Sequence, residues 1–177
     1  MSVLIRKMRV DDTENIRKFH KRSWLDTYPN EEAGITYEFI DKWTDQWLTP
    51  ENLAGSVVWN NRIIDDGENQ WYRVVVRGGE IMGLAHAALK DEEGNQHLNA
   101  IYIDKSLQGK GVAAQLMWML FNGFFDKTKD VWLEVVVYNK RAIRFYEKWG
   151  FEAVPGSDFM FKDILPTIKM VRKGEAA

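Results

Sequence analysis

The chain has no cysteine, only four prolines and no uninterrupted run of 18 apolar residues, and each shortage removes a class of protein. Without cysteine there is no disulfide framework, no thiolate metal site and no cysteine nucleophile. Without a long apolar run no segment reaches the length of a membrane-crossing helix, and the opening MSVLIRKMRVDD lacks the apolar core of a secretory leader. A cytoplasmic protein with no membrane partner is expected. Neither proline nor serine accumulates in a linker and no repeat divides the chain, so residues 1–177 read as a single domain with one core. Charge of one sign is also scarce: the net charge is −2 with 28% charged residues, which leaves no basic surplus for a polyanion, and nucleic acid is not an expected partner. Three scattered histidines give no ligand spacing, so no metal is expected.

What the chain does have is tryptophan, eight of them. Trp24, Trp43, Trp47 and Trp59 crowd the first third, where they suit either a core or the wall of a substrate cleft. Val3 to Val10 mixes apolar and basic residues as a half-buried strand does. Asp11, Asp12 and Thr13 then supply cap chemistry for a helix to about Leu25. Thr36 opens a second helix, ITYEFIDKWTDQWL, with Phe39, Ile40, Trp43 and Trp47 on one face. Thr49-Pro50 is a cap with proline at the first helical position, predicting a third helix from Glu51 to about Asn61. From Trp71 the period changes: WYRVVV, the turn Arg77-Gly78-Gly79 and EIMGLAHAALK read as a hairpin, and His97 to Ile103 as a further strand after a turn at Asp91 to Asn95.

That strand leads into Q-G-K-G-V-A, a glycine turn that opens directly into an apolar helix. Glycine lets backbone approach a ligand closely, and the unpaired N–H groups of a helix start favour phosphate. An anionic group is therefore expected above Gln108 to Ala113. The spacing is neither that of a P-loop nor the three-glycine dinucleotide pattern, so a pyrophosphate held by backbone is the better fit. Next, VWLEVVVY reads as a central strand. Asn139 caps a helix whose inward face is Ala142, Phe145, Tyr146 and Trp149, and Gly150 stops it. Phe151 to Val154 and Phe159 to Val171 complete a terminal pair of strands.

Two of these stretches together carry a resemblance. Gln108-x-x-Gly111-x-Ala113 at the head of a helix matches a Q/R-x-x-G-x-G/A acyl-CoA motif. LEVVVYNKRAIRFYEKWGF, Leu133 to Phe151, resembles the companion element of the GNAT N-acetyltransferase superfamily. The resemblance covers roughly residues 80–151, and the late Gly156-Ser157-Asp158-Phe159 looks most like the polyamine or small-amine branch. It implies an α+β fold, an α/β/α sandwich whose mixed, mostly antiparallel central sheet, flanked by helices, splays open at the acyl-CoA site. It further implies that backbone of Ile101, Tyr102 and Ile103 pairs with the pantetheine arm. On the same resemblance Gln108, Gly109, Lys110, Gly111, Val112 and Ala113 hold the pyrophosphate, Asn139 lies near the cofactor, and the Tyr146 hydroxyl reaches the sulfur as general acid.

The implied reaction moves acetyl from acetyl-CoA to a primary amine by direct attack in a ternary complex. The acceptor is a polyamine or other small cationic amine, with a peptide or protein amine, or a silent acyl-CoA-binding module, as the rivals. A free alkylamine of pKa about 10.4 is neutral only about once in a few thousand at pH 7, a deficit of about 4.6 kcal/mol that a base would relieve. His86, His97, Asn99 and Glu134 are the candidates, and strand alternation leaves open which of them faces the substrate. Proton donation from a tyrosine to a thiolate is uphill by only about 2 kcal/mol. Asp26, Glu31 and Glu32 would suit a cationic acceptor. A homodimer is the commonest closed assembly, with the tryptophan-rich third and the terminal strands as surfaces for it.

Overall fold

The computed structural model describes residues 2–175. They form two compact units, residues 2–86 with Ala100–Met117, and Ala87–Asn99 with residues 118–175. Strands β3 (Glu80–Ala88) and β4 (Gln96–Ile103) contribute residues to both.

In the first unit, β1 (Leu4–Lys7) runs antiparallel to β2 (Gln70–Arg77), with Leu4 opposite Val76 and Lys7 opposite Arg73. The strand ends earlier than its apolar pattern predicts, because Val10–Asp12 winds into a 3₁₀ turn. Asp12 fixes that turn: its carboxylate accepts the Arg9 amide at 2.8 Å and a forked pair of bonds from Arg6 at 2.6 and 2.7 Å. Helix α1 (Thr13–Thr27) buries Ile16, Phe19 and Trp24, and the first two join Met8, Ile63, Tyr72, Val74, Ile81 and Leu84 in one core cluster. Helix α2 (Tyr37–Asp45) begins where Thr36 accepts the Phe39 amide. Ile40 is fully buried, but Phe39, about 100° round the helix from it, stays 43% exposed. Helix α3 (Pro50–Asp65) has Thr49 as its cap and proline in its first turn. It runs past the expected Asn61, since Ile63 is one more residue on its buried face. Gly78 (φ +61°) and Gly79 (φ +87°) make the two-residue turn between β2 and β3, the backbone that a tight hairpin requires.

In the second unit, Asp91 to Asn95 closes as expected: the Asp91 side chain accepts the amides of Glu93 and Asn95. Strand β5 (Val131–Val136) lies parallel to the first residues of β4 and antiparallel to β8 (Leu165–Arg172), to which β6 (Glu152–Ala153) and β7 (Phe159–Phe161) also pair. The stretch Phe159 to Val171 is thus a hairpin, not one strand. Lys162 (φ +52°) and Asp163 (φ +60°) adopt left-handed backbone, and the apolar run on either side masks that turn in the sequence. Gln96, buried at the start of β4, donates to the Asp126 carbonyl at 2.9 Å and accepts the Asp126 amide at 2.7 Å. The chain is therefore an α+β protein whose open, mostly antiparallel sheet has the order β1-β2-β3-β4-β5-β8-β6, with β7 on β8; five α-helices accompany it among the described residues. No described helix is long and apolar enough to cross a membrane.

Candidate active site

The glycine turn has the backbone that its sequence calls for. Gly109 (φ +74°) and Gly111 (φ +80°) are both left-handed, and a Cβ built on either would meet no protein atom within 4 Å. Packing does not explain these glycines; conformation and approach from outside do. Helix α4 (Val112–Gly123) starts immediately after them, and its first helical bond runs from the Gln115 amide to the Gly111 carbonyl at 2.9 Å. The amides of Val112, Ala113 and Ala114 are helix-start donors with no acceptor inside the helix, at the positive end of its dipole. Lys110, exposed at the tip, adds a cation.

The turn is fastened from both sides. Gln108 donates to the Ile103 carbonyl at 3.0 Å. Asp104 accepts the amide and hydroxyl of Ser106, and the hydroxyl in turn accepts Arg77 at 2.9 Å. Burial would raise the Asp104 pKa, but the Ser106 bonds, with Arg22 and Arg77 nearby, outweigh it and hold the carboxyl below its ordinary range. Leading into the turn, β4 pairs with β5 through three residues, Gln96 to Leu98 against Val131 to Leu133. Ile101, Tyr102 and Ile103 come after that short ladder.

Asn139 and Tyr146 belong to helix α5 (Lys140–Glu147) in the second unit. Asn139 caps it, accepting the Ala142 amide at 3.1 Å. Tyr146 is buried, with its ring against Phe145 and Phe151 at 5.5 and 5.9 Å. Its carbonyl closes the helix end by accepting the amides of Trp149 and Phe151, so the residue is held at both ring and backbone.

The base candidates separate. His86 is buried, bonded to Gln70 at 2.9 Å and wedged between Tyr72 and Trp59, which is a core histidine. His97 pairs across the ladder with Trp132, and strand alternation puts Asn99 and Glu134 on the same sheet face. Its Nδ1 lies 3.0 Å from the Asn99 carbonyl oxygen. Burial lowers the His97 pKa, and Lys169 adds to that; Glu134 and Asp91 pull the other way without restoring the ordinary value. A neutral imidazole at pH 7 follows. Trp132 Nε1, beside it in register, is buried without an acceptor among the described residues.

Of the three acceptor carboxylates, Asp26 is ion-paired to Lys105 at 2.6 Å, while Glu31 and Glu32 are exposed. Trp24 and Tyr102, expected in separate roles, meet in one polar and aromatic group that the sequence did not reveal. His20 and Trp24 on α1, with Tyr28 capping its end, form a stripe at i, i+4, i+8. The Trp24 indole donates to His20 Nε2 at 3.0 Å, the His20 ring lies 4.8 Å from that of Tyr102, and the Tyr28 and Tyr102 hydroxyls are 2.7 Å apart. The four-residue spacing was the available signal; the partner on β4 was not readable. Burial raises the Tyr102 pKa, only partly offset by its bonds to Tyr28 and Trp24, so this phenol stays protonated.

Over 89 residues the chain is 30% identical to a probable spermine N(1)-acetyltransferase of Bacillus subtilis subsp. natto and 29% identical to a spermine/spermidine N(1)-acetyltransferase of Bacillus subtilis strain 168. Each match covers 46% of this chain and 59% of the relative's length, so the likeness spans little more than half of those proteins. Among solved structures, the PaiA N-acetyltransferase from Thermoplasma acidophilum in complex with coenzyme A superposes with a TM-score of 0.68 at 22% identity, over 98% of this chain and 99% of that one. A GNAT-family acetyltransferase from Streptococcus pneumoniae gives 0.66 at 18% identity, over 98% and 100%. At such identities the structures speak for the fold. Residues 18–151, however, match the acetyltransferase (GNAT) family itself, and the chain belongs to that family.

Proposed function

We propose that the protein transfers the acetyl group of acetyl-CoA to a primary amine on a small cationic molecule of the polyamine kind, by direct attack in a ternary complex. The observation that carries this reading is the left-handed pair Gly109 and Gly111, open on the side where a Cβ would stand. The donor set there, backbone amides at a helix start with Lys110 beside them, fits a pyrophosphate. The backbone of Ile101 to Ile103 would align the pantetheine arm. Acetyl-CoA supplies the activated thioester; the rest is the work of side chains.

In this reading the Tyr146 hydroxyl gives its proton to the departing sulfur. Burial and the two flanking phenyl rings restrict the phenol to few orientations, which favours a donor held in place. His97 is the base we favour. A histidine kept neutral at pH 7 can take the amine proton directly or through a water, whereas His86 is already engaged in the core. Glu31 and Glu32 offer exposed negative charge for an acceptor cation. The curated polyamine acetyltransferases support that acceptor class, and a cytoplasmic location belongs to the same reading. Purified protein with acetyl-CoA and a panel of polyamines, aminoglycosides, amino acids and N-terminal peptides, followed by release of free CoA, tests it. Turnover on polyamines above all others is expected. Turnover confined to peptides would replace the acceptor assignment, and CoA binding without turnover on any amine would replace catalysis.

A further inference from the structure

The second unit has a cavity that the acetyl-transfer reading does not use. It lies at the C-terminal ends of α4 and α5, has a volume of about 440 Å³, and draws its walls from Phe121, Lys127, Lys148, Trp149, Arg172 and Glu175 among others. Asn139, at the opposite end of α5, is not part of it. Phe121 and Trp149 are nearly parallel, 13° apart with centroids at 6.0 Å. The Arg172 guanidinium carbon sits over the Phe121 ring, 4.1 Å from its centroid, a cation–π contact that holds the group at the wall. Its one ion pair among the described residues, with Glu175 at 3.6 Å, is longer than a hydrogen bond and leaves the N–H fork available to a better acceptor. Lys127 and Lys148 are exposed and have no ion-pair partner among the described residues.

We propose that this cavity is a second ligand site, for a small aromatic phosphate with the chemistry of a nucleoside monophosphate. Three cations and one carboxylate leave a formal charge of +2 at the walls (3 − 1), which matches a phosphate monoester dianion. A planar guanidinium with two flexible ammonium groups is the combination that takes phosphate oxygens. The indole of Trp149 and the ring of Phe121 give an apolar wall for the aromatic part, and the volume lies in the range of small-molecule pockets. A lysine at the end of α5 would by itself only complement the helix dipole. Lys127 and Arg172, however, come from a loop and from β8, so the convergence of all three is not a property of one helix end.

The test is calorimetric titration of AMP into protein saturated with CoA, which occupies any adenosine-binding surface of the acetyl-transfer site. One AMP per chain at sub-millimolar Kd is expected. Affinity should fall at least tenfold in the double variant Lys127→Gln/Lys148→Gln, whose exposed positions leave the core untouched, and at least fivefold in Arg172→Lys, which keeps the charge and loses the fork. Inorganic phosphate should bind at least tenfold more weakly than AMP. No saturable binding, an affinity unchanged in the lysine double variant, or phosphate binding as tightly as AMP would each overturn the assignment. CoA binding is measured first in the same cell. Its absence would count against the acetyl-transfer reading alone, because dependence of AMP binding on Lys127 and Lys148 would still decide the cavity.

Discussion

The hydroxyls of Tyr28, at the C-terminal cap of α1, and Tyr102 on β4 are 2.7 Å apart, a bond between two residues 74 positions apart in the chain that joins the helix end to the strand inside the first unit. Because Tyr102 stays protonated, the pair is a neutral hydrogen bond and not a stored charge. Replacing either tyrosine with phenylalanine removes the bond between the two hydroxyls, at a cost of about 1 kcal/mol, and replacing both removes that same bond only once. Denaturant unfolding of Tyr28→Phe, Tyr102→Phe and the double variant should show a double-variant loss smaller than the sum of the two. Additive losses would mean that the bond does not form in solution.

Gly111 should report separately on backbone and on ligand. With φ at +80° and no protein atom near a Cβ, Gly111→Val meets only conformational strain on folding, about 1 to 2 kcal/mol. CoA affinity should fall much further, by two orders of magnitude, since the side chain would occupy space the pyrophosphate needs. Equal CoA affinity in the variant and the parent would dissociate the turn from the cofactor.

Tyr146→Phe keeps the ring contacts with Phe145 and Phe151 and loses only the hydroxyl. Turnover should drop more than tenfold while CoA affinity, read by calorimetry, changes less than twofold. Were turnover unchanged, the proton for the leaving sulfur would have to come from elsewhere.

Asp12 links the fold to acid. Burial alone would raise its pKa, but the Arg6 fork and the Arg9 amide overcome that and hold it below the ordinary aspartate range. A depressed carboxylate contributes stability that is complete above its unfolded pKa and disappears as pH falls through the folded one. Unfolding free energy should therefore decline below about pH 4, and Asp12→Asn should be less stable than the parent at pH 7 and flatter against pH between 4 and 2. Parallel pH curves for the two proteins would remove Asp12 from acid unfolding.

Much of this architecture could be read from residue order. Thr36, Thr49, Asn139, the Gly78-Gly79 turn and the glycines at 109 and 111 each impose a local backbone, and local constraints are visible in a sequence. The caps and turns fell where such residues stand. Less visible was anything fixed by a partner distant in the chain. The turn at Lys162 and Asp163 has one turn-favouring residue, Asp163, set inside an apolar run, and shows itself only through the pairing of β7 with β8 on either side. The His20, Trp24 and Tyr28 stripe has its purpose only once Tyr102 is beside it. His86 and His97 were indistinguishable as letters; register with β5 and the packing of Tyr72 and Trp59 distinguish them. The candidate site divides in the same way, with the glycine turn legible from spacing and the surroundings of His97 and Tyr146 dependent on tertiary contacts.

Gln96 has a consequence of its own. Its side-chain amide both gives and receives a bond at Asp126, and so imitates one rung of backbone pairing where the chain has no strand to offer. The reversal after α4 is thereby tied to the sheet, not to solvent, and the Asp126 amide proton should exchange with deuterium as slowly as those of β4. Glutamate at 96 could still receive the Asp126 amide while losing the bond to its carbonyl, so that proton would stay slow to exchange, whereas leucine at 96 would leave it to exchange as a surface turn does.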